Sequence, residues 1–541
     1  MNRSIKKLTD GWRISVFAIA MLVMVPIAVV LLSFFSPSQE VWDHLIKHVL
    51  SELLINTFWL VTGVGAVTAV LGVSLAWLTA VYDYPGRKMF SWALLLPLAM
   101  PTYVLAFVSI GLLDFSGPVQ TMLRDWFGTG NYWFPDIRST GGVVAVMSLA
   151  LYPYVYLIAR NAFATQGIRT IEVAQSLGHG RVSGFFKIAL PMARPWIAGG
   201  LMLVLMETLA DFGAVSIFNF DTFTTAIYKA WFGFFSLSAA AQLSSILVVF
   251  VFVIILIEQR MRLRMRYYQP GRHSTEMKRY RLKGPAKWLA FTASLLVLSI
   301  AFIIPVVQLL FWSVEVVTDE LNNRYFGFLI RSLLLGVLAA IITCFFALIL
   351  SYAKRHYPDR LTNFLVRTST LGYALPGTIL AVGIFIPNAF VDNVIITVSR
   401  NVFGIETGPV LQGTVAVMIM AYVVRFMAAG FNSIDNAMQR VTRSIDEAAT
   451  LMGLRGLNML RKIHIPILRG GVLTALTLVF VDVMKEMPIT LMTRPFGWDT
   501  LAVKIYELTS EGEWERAALP AATLILAGLL PIILLTKHTE K

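Results

Sequence analysis

The feature that most constrains this chain is the blocking of its apolar residues. Runs of roughly twenty, long enough to cross about 30 Å of hydrocarbon as helices, alternate with short polar links. Residues of the AVILMFWYC set reach 57% and DEKR residues only 14%, where soluble chains carry about 25% charged residues. The mean hydropathy is +0.71. A length of 541 residues would otherwise suggest several soluble domains, but the blocks exclude a soluble globule. The fold class expected is an all-α polytopic membrane protein. Arg3, Lys6, Lys7 and Arg13 ahead of the run Ile14 to Phe35 imitate a signal peptide. That run is too long for one and lacks a small-residue cleavage site, so it is expected to be the first membrane helix.

Spans are expected near 14–36, 53–80, 90–113, 142–165, 197–220 and 239–259, then near 287–312, 328–353, 366–390, 411–431, 470–493 and 518–536. That makes about twelve helices. Lys and Arg decide the orientation. The stretch from Met261 to Ala286 carries Arg262, Arg264, Arg266, Arg272, Lys278, Arg279, Arg281 and Lys283, which puts it and both termini in the cytoplasm. The net charge of +14 thus follows from topology, and no nucleic-acid partner is expected. Cys344, the single cysteine, lies in an apolar run and reads as a packing residue. Acidic residues gather on the outer side: Asp114, Asp125 and Asp136, then Glu507, Glu511, Glu513 and Glu515 before the last span. Such a rim suits a basic soluble partner, although the positive-inside rule alone also explains it.

The chain repeats itself. Glu172, Ala174, Gly178, Ile188, Leu190 and Pro191 are followed 275 residues later by Glu447, Ala449, Gly453, Ile463, Ile465 and Pro466. Tyr84-Pro85 recurs as Tyr357-Pro358, and Pro101 as Pro376. We therefore expect a first repeat over 1–260 with its core at 52–258. A basic cytoplasmic linker follows at 261–286, and a second repeat covers 287–541 with its core at 328–536. An even number of helices per unit makes the two copies parallel, with a pathway along the axis between them.

The repeated loop reads EVAQSLGHGRVSGFFKIALP and then EAATLMGLRGLNMLRKIHIP. In each, small residues let a short helix pack closely, a glycine turns the chain into a second short helix, and a proline ends that element before the next span. A braced short helix on the inner side, built twice, is a contact for another protein. These residues resemble the cytoplasmic E-A-A-x3-G-x9-I-x-L-P loop of bacterial ABC importer permeases, departing at Val173 and Ile465. The resemblance implies the type I importer permease fold, with a core of five helices per half and an added N-terminal one. It also implies that Glu172, Ala174, Gly178 and Pro191, with Glu447, Ala448, Ala449, Gly453 and Pro466, couple the chain to a pair of ATP-hydrolysing subunits. The chain itself has no G-x4-G-K-[ST] loop, zinc motif or nucleophile–base pair, so no catalytic residue is expected. ATP and Mg2+ would be bound by the partners.

Ionisable residues inside spans point to a pathway. Glu207 and Asp211 lie four apart on the fifth span, and Asp482 and Glu486 four apart on the eleventh, each pair expected on one helix face with Lys485 nearby. Helix capping or structural ion pairing is the plainer reading of the same residues. Oxygen ligands suit a hard cation, here through transient contact and no stable metal site.

Residues 205–231 and 479–508 resemble the two copies of the fused ferric iron permeases, members of the binding-protein-dependent transport system inner-membrane component family. That likeness implies Fe3+ delivered by a periplasmic binding protein, two ATPase copies, one copy of this chain per complex, and residence in the bacterial inner membrane. Thiamine, sulfate, molybdate, polyamine and phosphonate permeases share parts of the pattern. A secondary transporter could also use two six-helix halves, but it has no use for a doubled ATPase-type loop. A membrane enzyme would need clustered catalytic groups, and the seven histidines form no such cluster.

Overall fold

The computed structural model describes residues 11–35, 39–128, 132–176, 178, 180–264, 279–454 and 456–539. Twelve longer helices carry the fold: α1 Gly11–Ser33, α2 Leu50–Val81, α3 Thr102–Leu113, α4 Thr140–Ser176, α5 Leu190–Ala210 and α6 Leu237–Arg264 in the first half. The second half has α7 Pro285–Glu320, α8 Asn323–His356, α9 Gly377–Val398, α10 Val415–Met438, α11 Arg469–Lys485 and α12 Trp514–Thr539.

Among the described residues, ten stretches are long and apolar enough to span a membrane. The count is eleven if α11 is joined to Gly456–Ile467, from which it bends by 82°. The expected number was about twelve. α11 falls short because the apolar run 470–493 is cut at Glu486, leaving a helix of 17 residues. The side chains of 530–539 at the end of α12 lie outside the described residues.

Breaks recur at matching places because prolines recur. Before α3 the chain passes through Arg87–Ala93 and a tight turn Leu96–Ala99 that ends at Pro101. Before α9 it passes through Arg360–Ser369 and Leu371–Ala374, ending at Pro376. Each proline is extended and acts as the N-cap residue of the helix that follows, where a missing N–H costs nothing.

Helices α2, α4 and α5 pack together in the first half, and α8, α10 and α11 in the second. The first helix of each half, however, reaches the opposite half. α1 packs on α9 and on Arg360–Ser369. Arg13 pairs with Asp359, and a Cβ on Gly383 would sit 2.7 Å from the Pro26 carbonyl. α7 returns the exchange: Tyr84 and Ser294 hydroxyls lie 2.9 Å apart, and Trp312 packs on Gly111, where a Cβ would fall within 2.6 Å. One core thus joins 60–218 to residues of α7 and α12, and another joins α1 and α6 to α8–α11. Sequence repeat and packing unit do not coincide. Cys344 is buried in the second-half core.

The only β pairing among the described residues is small: β1 Tyr82–Asp83 lies parallel to β2 Tyr280–Arg281, and Leu282 donates to the Asp83 carbonyl at 3.0 Å. It pins the end of the basic linker to the first half; linker residues 265–278 lie outside those described.

Candidate functional site

Two features converge from the repeat: a pair of loops at one end, and a cluster of charges deep between the halves.

The loops are built alike. Gly178 and Gly453 both adopt φ +79, the left-handed region that glycine enters freely. Gly178 N–H donates to the Gln175 carbonyl and Gly453 N–H to that of Thr450, each at 3.0 Å. A short helix follows, Arg181–Gly184 or Gly456–Met459, then a π-turn at Phe185–Ala189 or Leu460–His464. Pro191 and Pro466 then sit in the first turn of the helix that follows. Glu172 is exposed in the first loop, whereas the side chain of Ala174 lies outside the described residues, as do Leu177 and His179. In the second loop Glu447 and Ala448 are exposed and Ala449 is buried, which presses the helix Arg443–Leu451 onto its support. Leu451 is 90% and Met452 68% exposed. Two bare apolar side chains at a loop tip form a knob suited to a partner's cleft.

The charges are arranged differently from the simple face expected of them. α5 ends at Ala210 and α11 at Lys485, so Asp211 (ψ 129) and Glu486 (ψ 112) have already left the helix. Asp211 instead accepts N–H bonds from Ala214 (2.9 Å) and Val215 (3.3 Å), together with the Thr102 hydroxyl. It caps the short helix Gly213–Ile217. Glu486 accepts the Ile489 N–H at 3.2 Å at the start of Pro488–Thr493, and its other oxygen lies 3.2 Å from Arg425 Nε. The backbone breaks where it does because Gly213 and Pro488 follow at once; neither supports helix continuation at that point.

Glu207 and Asp482 remain on their helices and half-buried. Tyr373 donates to Glu207 Oε1 at 3.4 Å, across the two halves. The charges of Arg425, Asp482, Asp211 and Glu486 all reach Glu207. Lys485 donates to the Leu98 carbonyl at 2.8 Å, and the charges of Asp482 and Glu207 act on it. Among the described residues no group of three or more His, Cys, Asp or Glu side chains converges closely enough to hold a metal ion.

Arg425 is the member that sequence reasoning missed. The signal was there: an arginine within the apolar run 415–431, where an ionisable group needs a partner or a function. It has no counterpart in the first half, where Ala150 stands 275 positions earlier. Gly377 makes room for it, since a Cβ there would lie 2.6 Å from Glu486 Oε1 and 3.1 Å from an Arg425 nitrogen.

Beyond the carboxylates, away from the loops, the halves touch directly. A Cβ on Gly213 would lie 2.8 Å from Met487 Cε. The Phe212 and Tyr228 rings sit 5.6 and 6.4 Å from that of Tyr506, whose hydroxyl lies 3.2 Å from Ser216 Oγ. These rings form an aromatic plug between the two halves. Part of the acidic rim is neutralised: Asp114 pairs with Arg138 at 3.1 Å, and Glu507 with Arg494 at 2.9 Å.

Residues 69–267 match the family of binding-protein-dependent transport system inner membrane components. Along nearly its whole length the chain is 27% identical, over 498 residues, to the Fe(3+)-transport system permease protein FbpB 2 of Haemophilus influenzae, covering 91% of each. It is 23% identical over 535 residues to the ferric transport system permease protein FbpB of Actinobacillus pleuropneumoniae, covering 92% of this chain and 72% of that one. The molybdenum transport system permease protein ModB of Escherichia coli is 30% identical over only 147 residues, 27% of this chain and 62% of the relative.

Proposed function

We propose that this binding-protein-dependent inner-membrane component is the permease through which ferric iron enters the cell in an ATP-driven importer. The observation that carries the importer reading is the loop built twice, with the same glycine conformation, π-turn and proline. One such loop per half serves one ATPase each, so a single copy of the fused chain replaces a permease dimer. ATP and Mg2+ belong to those two partners, and this chain carries no catalytic step. Both termini and the basic linker face the cytoplasm, which places the aromatic plug at the periplasmic end, where a ferric-iron-binding protein docks. The ferric relatives, similar along almost the entire chain, support iron over solutes whose permeases match a fraction of it.

With the ATPases apart, the plug of Phe212, Tyr228 and Tyr506 seals the periplasmic side. ATP draws the partners together, the two loops follow, and the halves part at the plug. Ferric ion released from its carrier then meets Glu207 and Asp482. Two carboxylates not locked in helix capping, with Arg425 and Lys485 close by, attract a trivalent cation without holding it.

Uptake of radiolabelled ferric iron by cells with and without this chain, its carrier and ATPase present, tests the reading. Energy-dependent uptake should vanish on deletion and resist excess thiamine, molybdate or polyamine. Persistent uptake in a strain lacking other iron importers would refute iron as substrate.

A further inference from the structure

The two loops share a backbone but not a support. In the first half α4 runs unbroken from Thr140 to Ser176 into the loop. In the second, α10 stops at Met438 and a separate helix begins at Arg443. Arg355, at the end of α8, fills that gap. Its guanidinium donates to the carbonyls of Met438 (2.9 Å), Val441 (2.9 Å) and Thr442 (3.2 Å), and Nε donates to Asp446 Oδ2 at 2.7 Å. Asp446 Oδ1 lies 2.8 Å from Nε2 of His464, a fully buried imidazole in the π-turn. One aspartate on the loop helix is thus tied both to α8 and to the segment that leads into α11. Lys354 braces the same corner through Asp435 at 2.7 Å.

The first half carries different residues at these positions. The positions equivalent to Asp446 and His464 are Ile171 and Ala189, and the Tyr-Pro register sets Tyr82 opposite Arg355. Isoleucine and alanine, in place of the aspartate and the histidine, have no side-chain group that can form the tie.

We propose that Asp446 is a positioning residue for energy coupling: clamped by Arg355 and His464, it gives the second loop the stiffness that helix continuity gives the first. The proposal rests on the importer reading above. A loop helix joined to its span only by an open turn would pivot under the ATPase instead of moving α8, α10 and α11. With the clamp in place, the four segments shift together. The two ATPases then push on levers of unlike construction, and the second depends on Asp446.

The test uses the whole complex, this chain with its ATPase and binding protein, in proteoliposomes. Iron transported, ATP hydrolysed and ATPase copurified are measured together. In Asp446→Asn and Asp446→Ala, iron moved per ATP should fall about fivefold, within the span usual for side chains that couple two sites. The ATPase should copurify in normal amount, and Asp446→Glu should recover most of the ratio. An unchanged ratio in Asp446→Ala overturns the proposal. So does loss of the complex in the isosteric Asp446→Asn, which would make the clamp a requirement for assembly alone. A wild-type chain that binds no ATPase would instead overturn the importer reading.

Discussion

Arg425 and Glu486, both in the second half, form an ion pair at 3.2 Å with side chains only 11% and 6% exposed. The first half solves the same problem without a charge, through the Thr102 hydroxyl on Asp211. A longer acid and a longer base in the second half occupy the space that Gly377 leaves open. The repeat has therefore kept its backbone breaks and changed the chemistry at them.

Removing one partner of a buried pair strands the other. Arg425→Ala is expected to destabilise the protein by about 3–5 kcal/mol, read as an earlier thermal transition in detergent. Adding Glu486→Gln should restore part of it. A single variant as stable as wild type would show that the pair is not isolated from water.

At Gly377 the constraint is space. A Cβ 2.6 Å from Glu486 Oε1 and 2.9 Å from Pro488 Cγ should cost about 1–3 kcal/mol through overpacking. Gly470→Ala is the control: nothing lies within 4 Å of its Cβ, and alanine there should gain up to about 1 kcal/mol in helix propensity. Equal effects at the two sites would contradict the packing described.

The four carboxylates should separate into two classes. Glu207→Gln and Asp482→Asn are expected to slow iron uptake several-fold with little change in stability. Asp211→Ala should cost roughly 0.5–2 kcal/mol as a lost helix cap. Uptake unaffected by the first two changes would remove them from the pathway.

Gly178 and Gly453 meet nothing within 4 Å, so a side chain there is resisted only by its φ of +79. Valine should cost about 1–2 kcal/mol locally. The double variant is expected to insert normally and hydrolyse ATP without transport. Normal uptake in that variant would exclude the loops as levers.

Asp446 offers a pH test. Partial burial pushes its carboxyl up, but hydrogen bonds from His464 and Arg355 outweigh that and hold it below the usual 3.8. A carboxyl depressed in the folded state contributes stability above its unfolded pKa and loses it as pH falls through the folded value. The stability gap between wild type and Asp446→Asn should therefore be constant near neutrality. It should close only below about pH 4; closure nearer pH 6 would contradict the assignment.

The loops were legible in the sequence because their determinants are local. Gly178 and Gly453 need no distant residue to favour φ +79, and Pro191 and Pro466 begin a helix wherever they stand. The carboxylates were legible as a set but not in their places. Spacing of four implies one face only while the helix continues, and it stops one residue short of Asp211 and Glu486. The FG and MP steps behind those acids were the available signal. Arg425 escaped because a single arginine in an apolar run names no partner, and its acid lies 61 positions away in the chain (425 to 486).

What the sequence determined by itself is what hydrophobicity and backbone chemistry decide within a few residues: membrane-length helices, a unit repeated at an offset of 275 (172 to 447), and two identical turns. What only the tertiary structure decided is which surfaces those helices share. The exchange of α1 and α7 between halves, the clamp on Asp446 and the plug at Tyr506 all join residues far apart in sequence. Such contacts depend on shape and charge meeting in space, and no local pattern encodes them.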